Sequence, residues 1–250
     1  MTDEDEADEW EFYACVVDEQ PASIFLNFRY EHERPAADTL YWVRIAMLDP
    51  ADHGMGNASE AEALRAPEAI LLAAAALEGF VYVGRLRTAG TWELTFYNAP
   101  DRGAAIDALA RRAELGHRTV EVGSKPDLDW SYYRDFLLPD AERRRWIQNR
   151  RLVFTLRQHG DVVSTPRRVD HWVYFETASS RQAFVDDVAR EEFTLDHAID
   201  GDNFGAKIYR TDSVELDHIH DVEMMLVELA ETHGGDYDGW ETPIVKPPPN

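Results

Sequence analysis

Short runs of alternating apolar and polar residues open the chain from Trp10 onward. Residues 12–17, 23–30 and 40–48 are rich in aromatic and β-branched types and are punctuated by Gln20-Pro21 and Arg34-Pro35, so they predict a strand meander. The period then lengthens. Ser59-Glu60-Ala61-Glu62 has capping-box spacing, in which a Ser hydroxyl and a Glu side chain satisfy each other's free backbone amides, and it predicts a helix start. Pro67 cannot donate to a helical ladder and predicts a break, with a second piece to Glu78 that carries Leu71, Leu72, Ala75 and Ala76 on one face. Residues 80–87 and 91–97 read as strands around Ala89-Gly90. Residues 101–115 read as a helix stopped by Gly116, and residues 117–122 as a closing strand. The first half is therefore α+β, with helices inserted among mostly antiparallel strands.

Lys125-Pro126-Asp127-Leu128-Asp129 marks a boundary, because a proline flanked by charges follows the last strand. Trp130, Tyr133 and Leu137 fit one helical face. A longer helix follows at 140–159, with Trp146, Val153 and Leu156 on one side and Gly160 as its stop. Beyond it the pattern gives a strand to Phe175, a helix at 180–190, strands at 193–199 and 204–209, a helix at 217–233 and a short strand at 241–245. That order, β-α-β-β-α-β, is ferredoxin-like. The organisation is thus a flexible acidic tail (1–9), a first α+β domain (10–125), a helical linker (126–160) and a ferredoxin-like domain (161–250). The fold class is α+β, with two α/β-sandwich domains.

Strand alternation assigns faces in the second domain. Val169, His171, Val173 and Phe175 point under the helices, while Asp170, Trp172, Tyr174 and Glu176 point to an open face. Near the end of the chain, Gly234-Gly235 closes the last helix and Asp238-Gly239 reads as a turn that fixes Tyr237 against Trp240. Asp236, Asp238 and Glu241 surround those aromatics.

Charge sharpens this picture. Twenty-five basic residues face 48 acidic ones, a net of −23, and a field of that sign repels phosphate backbones and anionic lipid, so direct nucleic-acid and membrane binding are disfavoured. Residues 191–250 hold fifteen Asp and Glu, whereas residues 134–168 hold nine Arg. The lone cysteine, Cys15, sits in an apolar run and excludes an internal disulfide. No apolar run reaches membrane-spanning length, and the start Met1-Thr2-Asp3-Glu4 is unlike a signal peptide, which together predict a cytoplasmic protein.

Candidate chemistry is thin. His218 and His220 are two apart on a helix and do not share a face, so a metal cluster with Asp221 is not expected. Asp200-Gly201-Asp202-Asn203-Phe204 opens like a calcium loop but places Phe204 where an oxygen ligand belongs, and reads as a hairpin turn. Gly54-Met55-Gly56-Asn57 lacks the Lys-Ser or Lys-Thr of a phosphate loop. The reading is of a protein without catalytic residues, metal or cofactor. The alternative is a hydrolase or transferase with a cleft between the domains that uses His159, Asp161, His171 and Asp236, or an unrelated protein-interaction module.

Three pieces carry a resemblance. Tyr237-Asp238-Gly239-Trp240, preceded by Leu156-Arg157-Gln158-His159-Gly160-Asp161 and by Val169-Asp170-His171-Trp172-Val173-Tyr174-Phe175, resembles the regulator of ribonuclease E activity B family over roughly residues 147–246. The first half is similar to the family catalogued as domain of unknown function 695, through Val83-Gly84-Arg85, Gly90-Thr91 and Phe96-Tyr97. The first resemblance implies a bacterial protein that binds and inhibits ribonuclease E, or another protein with a basic segment. Asp170, Trp172, Tyr174, Glu176, Asp236, Tyr237, Asp238, Trp240 and Glu241 are the candidate partner-binding residues.

Overall fold

The computed structural model describes residues 9–246, which divide after Asp140 into two compact units. The tail expected at 1–9 lies, Glu9 apart, outside the described residues.

In the first unit, alternation builds β1 (Trp10–Val17), β2 (Gln20–Asn27), β3 (Thr39–Ala46), β4 (Val81–Thr88), β5 (Thr91–Asn98) and β6 (Val120–Pro126), joined as an antiparallel sheet in the order β1-β2-β4-β5-β3-β6. Two helices, α1 (Ala58–Leu77) and α2 (Gly103–Arg112), cover one face. Tyr41, Val43 and Ile45 of β3 and Leu94 and Phe96 of β5 pack there against Leu64, Leu71 and Ile106.

Two sequence expectations are corrected here. Helix α1 is unbroken through Pro67, because the carbonyl that loses its donor belongs to Ala63 on the exposed side, where water can satisfy it. Its cap is Asn57, whose side chain accepts from Glu60 N at 2.8 Å. Glu62, three residues after Ser59, pairs instead with Arg65 at 3.0 Å, while Glu60 is buried, paired with Arg118, and accepts from Leu48 N at 3.0 Å.

The other face of this sheet is covered by residues 127–138, which end in a wide helical turn, Tyr132–Leu137. Asp127 organises them by accepting from Ser131 N at 2.8 Å, Tyr132 N at 3.0 Å and the Tyr97 hydroxyl at 2.6 Å. Trp130 stacks on Tyr97 with ring centroids 3.9 Å apart, and the Tyr133 hydroxyl donates to Asn27 O at 2.7 Å. Residues 126–140 are thus part of the first unit, and the long helix that follows is part of the second.

The second unit runs α3 (Ala141–Gln158), β7 (Arg167–Phe175), α4 (Ala178–Val188), β8 (Thr194–Ile199), β9 (Phe204–Asp212), α5 (Leu216–Thr232) and β10 (Gly235–Glu241). The sheet order β10-β7-β9-β8, with every neighbouring pair antiparallel, is ferredoxin-like. Val173, Phe175, Ala206 and Ile208 of the sheet meet Phe184, Val188, Val222 and Leu226 of the helices. Helix α3 adds Val153 and Leu156 to a neighbouring cluster with Val169, Ile219 and Trp240.

The terminal strand is β10, not residues 241–245. Gly234, with φ of +67°, ends α5, and the chain returns at once along β7, so the expected aromatic turn is itself the strand. Residues beyond it still dock, since Val162 N donates to Val245 O at 2.9 Å and Val245 N to the Asp161 carboxylate at 2.8 Å. Gly235 lies against the Phe175 ring, where a Cβ would overlap ring atoms. Gly235→Ala should therefore destabilise the second unit by about 1–3 kcal/mol, read as a lower urea midpoint with unchanged slope.

Candidate functional site

The register of β10 on β7 sorts the expected binding residues onto two faces. Asp236 pairs with Tyr174, Tyr237 with Val173, Gly239 with Trp172, Trp240 with His171 and Glu241 with Asp170, with a bulge at Asp238. Residues three apart on a regular strand face opposite ways. The extra residue reverses the phase, so Tyr237 and Trp240 both turn under the helices. Gly239 permits this with φ of +151°, a backbone region open almost exclusively to glycine.

Tyr237 and Trp240 are accordingly buried, 3% and 9% exposed, and the expectation that they touch a partner is corrected. The Trp240 indole donates to Asn149 Oδ1 at 2.8 Å. The Asn149 amide in turn donates to Glu223, whose other oxygen accepts from Arg145 at 3.1 Å. The Tyr237 hydroxyl meets His171 Nδ1 at 2.8 Å, and burial raises its pKa well above the usual tyrosine range. These contacts tie β10 to α3 and α5.

The opposite face, which no helix of the described residues of this unit covers, holds Asp170, Trp172 and Tyr174 of β7, Lys207 and Tyr209 of β9, and Asp236 and Glu241 of β10. It has two halves of different electrostatic character. In one, Lys207 Nζ sits 4.6 Å from the Trp172 ring centroid, 3.8 Å from Asp170 and 3.5 Å from Glu241. Arg168 lies 3.9 Å over Tyr209 and donates to Asp170 at 2.6 Å and to Asp196 at 2.9 Å. Those hydrogen bonds from Arg168, helped by His197, hold the Asp196 carboxyl below the usual range. In this half every one of these charges has a partner.

The other half surrounds Tyr174. A Cβ at Gly205 would lie about 3.0 Å from the Tyr174 ring, so glycine at that position lets the ring lie across β9. Asp236 is the cross-strand neighbour of Tyr174, Glu176 follows β7, and Asp238 stands at the bulge. All three acids are exposed, and none has an ion-pair partner among the described residues.

Sequence reasoning missed Arg168, Asp196, Lys207 and Tyr209. The alternation of Lys207 and Tyr209 was visible, but which β7 residues they oppose depends on cross-strand register.

The four residues of the enzymatic alternative are not assembled. His159 bonds the Thr155 carbonyl at 2.8 Å, Asp161 is buried against Arg167, His171 meets Tyr237, and Asp236 is on the open face. His218 pairs with Asp212 at 3.0 Å while His220 approaches Asn149. Among the described residues no group of three His, Cys, Asp or Glu side chains could hold a metal ion. Residues 200–203 form the β8–β9 hairpin connection. No helix of the described residues is long and apolar enough to cross a membrane.

Two family models match the sequence: Family of unknown function (DUF695) over residues 8–138 and Regulator of ribonuclease activity B over residues 146–242. No curated protein matches it. Among solved structures, a candidate glycine cleavage system transcriptional repressor is 8% identical with a TM-score of 0.26, covering 84% of this chain and 100% of its own. An unknown protein from Galdieria sulphuraria is 9% identical with a TM-score of 0.24, covering 81% and 96% respectively. At those scores the fold rests on this chain's own strand order.

His171 provides a test of the buried side. Burial lowers its pKa from 6.5 to about 4, against the smaller opposing pull of Asp212. Between those values the unfolded chain binds more protons than the folded one, so the stability present above pH 6.5 is lost as pH falls toward 4. The full effect is on the order of 3 kcal/mol. Urea midpoints of the second unit should fall across this window, and His171→Gln should flatten that dependence.

Proposed function

We propose, for a chain that belongs to the Family of unknown function (DUF695) and whose residues 146–242 match Regulator of ribonuclease activity B, that the second unit is a protein-binding regulator of an RNA-degrading enzyme. Its partner is ribonuclease E or a similar enzyme with a basic segment, and its action is inhibition. One observation supports this mode above the rest: Tyr174 lies on the open sheet face with Asp236 as its cross-strand neighbour, and Asp236, Glu176 just past the end of β7 and Asp238 at the bulge are exposed carboxylates without ion-pair partners among the described residues. Unpaired acids attract Lys and Arg and repel RNA, and an aromatic beside one of them gives a partner cation a ring face to rest on.

The internally paired half has a different role. Lys207 and Arg168 already occupy the Trp172 and Tyr209 rings, so this half meets a partner as a preorganised surface whose charges need no rearrangement. Asp170 and Glu241 hold those cations, while Tyr237 and Trp240 support the strand from beneath.

Calorimetry of the full chain against the arginine-rich region of ribonuclease E from the same organism, at low and high salt, tests the proposal. Binding should weaken with salt, because exposed charges are screened beyond about 8 Å near physiological ionic strength. Trp172→Ala with Tyr174→Ala should cost about 2 kcal/mol or more, roughly thirty-fold in Kd. Glu176→Gln, Asp236→Asn and Asp238→Asn together should weaken binding and reduce its salt dependence. Absence of binding at low salt, or binding indifferent to salt and to these variants, would remove both partner and mode.

A further inference from the structure

The first unit contains a concave site of opposite electrostatic character. Between α1 and the β4–β5 pair lies a cavity of about 340 Å³, whose walls include Arg65, Glu68, Leu72, Arg85, Arg87 and Trp92. That volume is at the lower end of the range for small-molecule pockets. Three guanidiniums and one carboxylate line it, in a chain whose overall charge is −23; the exposed Arg65 also pairs with Glu62 outside the cavity wall at 3.0 Å.

Strand register explains the arrangement. Arg85 opposes Leu94 and Arg87 opposes Trp92, so both arginines rise from the helix-covered face of the sheet, where apolar residues otherwise stand. Glu68 on α1 is buried and serves two donors: Arg85 Nη1 reaches both its oxygens at 2.8 and 2.9 Å, and the Trp92 indole donates at 2.8 Å. Its capacity is largely committed. Among the described residues, Arg85 Nε is buried with no acceptor, and the Tyr82 hydroxyl is likewise buried without a partner. Arg87 lies 5.4 Å from the Trp92 ring centroid and has no carboxylate partner among the described residues. Burial, with Arg85 adding to it, lowers the pKa of Arg87. A half-buried cation beside a second cation is an uncompensated cost that an anion would offset.

We propose that this cavity is a binding site for a small organic oxyanion, a phosphate ester or carboxylate, whose charged head meets Arg87 and Arg65 and whose apolar body rests on Leu72 and the Trp92 wall. Glu68 positions Arg85 and Trp92 and does not touch the ligand's charge. The site is independent of the partner surface proposed for the second unit. Guanidinium groups suit such heads because their planar donor pairs match two oxygens at once.

The test is a titration of the full chain with phenyl phosphate, benzoate and inorganic phosphate, following the indole N–H resonance of Trp92, assigned with Trp92→Phe. Phenyl phosphate or benzoate should saturate below about 10 mM, with inorganic phosphate weaker by at least about five-fold because it lacks the apolar body. Arg87→Gln, which removes a cation without an ion-pair partner and should leave the fold intact, should weaken binding about ten-fold. Arg65→Gln, on an exposed side chain, should weaken it in the same direction, and Arg112→Gln, which changes net charge equally, should not. No saturation with any probe, equal binding of inorganic phosphate, or equal effects of Arg87→Gln and Arg112→Gln would overturn the assignment.

Discussion

One extra residue in a strand decides how the second unit presents itself. The bulge at Asp238 brings Tyr237 and Trp240 to the same side of β10, and both then find buried partners, His171 for the phenol and Asn149 for the indole. Without the bulge, one of the two rings would stand on the open face and its hydrogen bond would be lost. Leaving a buried partner unsatisfied costs about 1–3 kcal/mol. The Asn149–Glu223–Arg145 chain extends this tie to two helices. The terminal strand is thereby fixed, and Asp236, Asp238 and Glu241 are presented outward in defined positions.

Interior charge throughout the chain is compensated locally. Glu60 is paired with Arg118, Glu68 with Arg85, Asp161 with Arg167, and Glu223 with Arg145. Breaking such a pair from one side leaves an uncompensated buried charge, which is far costlier than losing a surface pair. The surplus of acids therefore resides mainly on surfaces, where it can act on partners. Half-buried Arg87 departs from this pattern in the first unit, while in the second Glu176, Asp236 and Asp238 belong to the exposed surplus.

Most of the architecture was legible in the sequence because period-two alternation and turn residues are local signals. The β-α-β-β-α-β order and the inward facing of Val169, His171, Val173 and Phe175 came from those signals, and all four residues are buried. Pro67 misled because its penalty depends on whether the freed carbonyl reaches water, a property of the exposed side of α1 rather than of the motif. The strand at residues 235–241 was read as a turn because Asp-Gly serves a bulge as readily as a hairpin. The binding face was half legible: Asp170, Trp172 and Tyr174 follow from alternation on β7. The capping of Trp172 by Lys207 and of Tyr209 by Arg168 depends on cross-strand register between residues more than thirty positions apart.

The division into a buried and a presented aromatic set can be observed directly in the indole N–H signals of Trp172 and Trp240 as the arginine-rich region of ribonuclease E is added to the full chain at low salt. Trp172 is on the face proposed to bind and Trp240 is hydrogen-bonded beneath it. The account predicts a saturable shift at Trp172 with Trp240 unmoved. Saturable binding that shifts Trp240 and leaves Trp172 in place would contradict it.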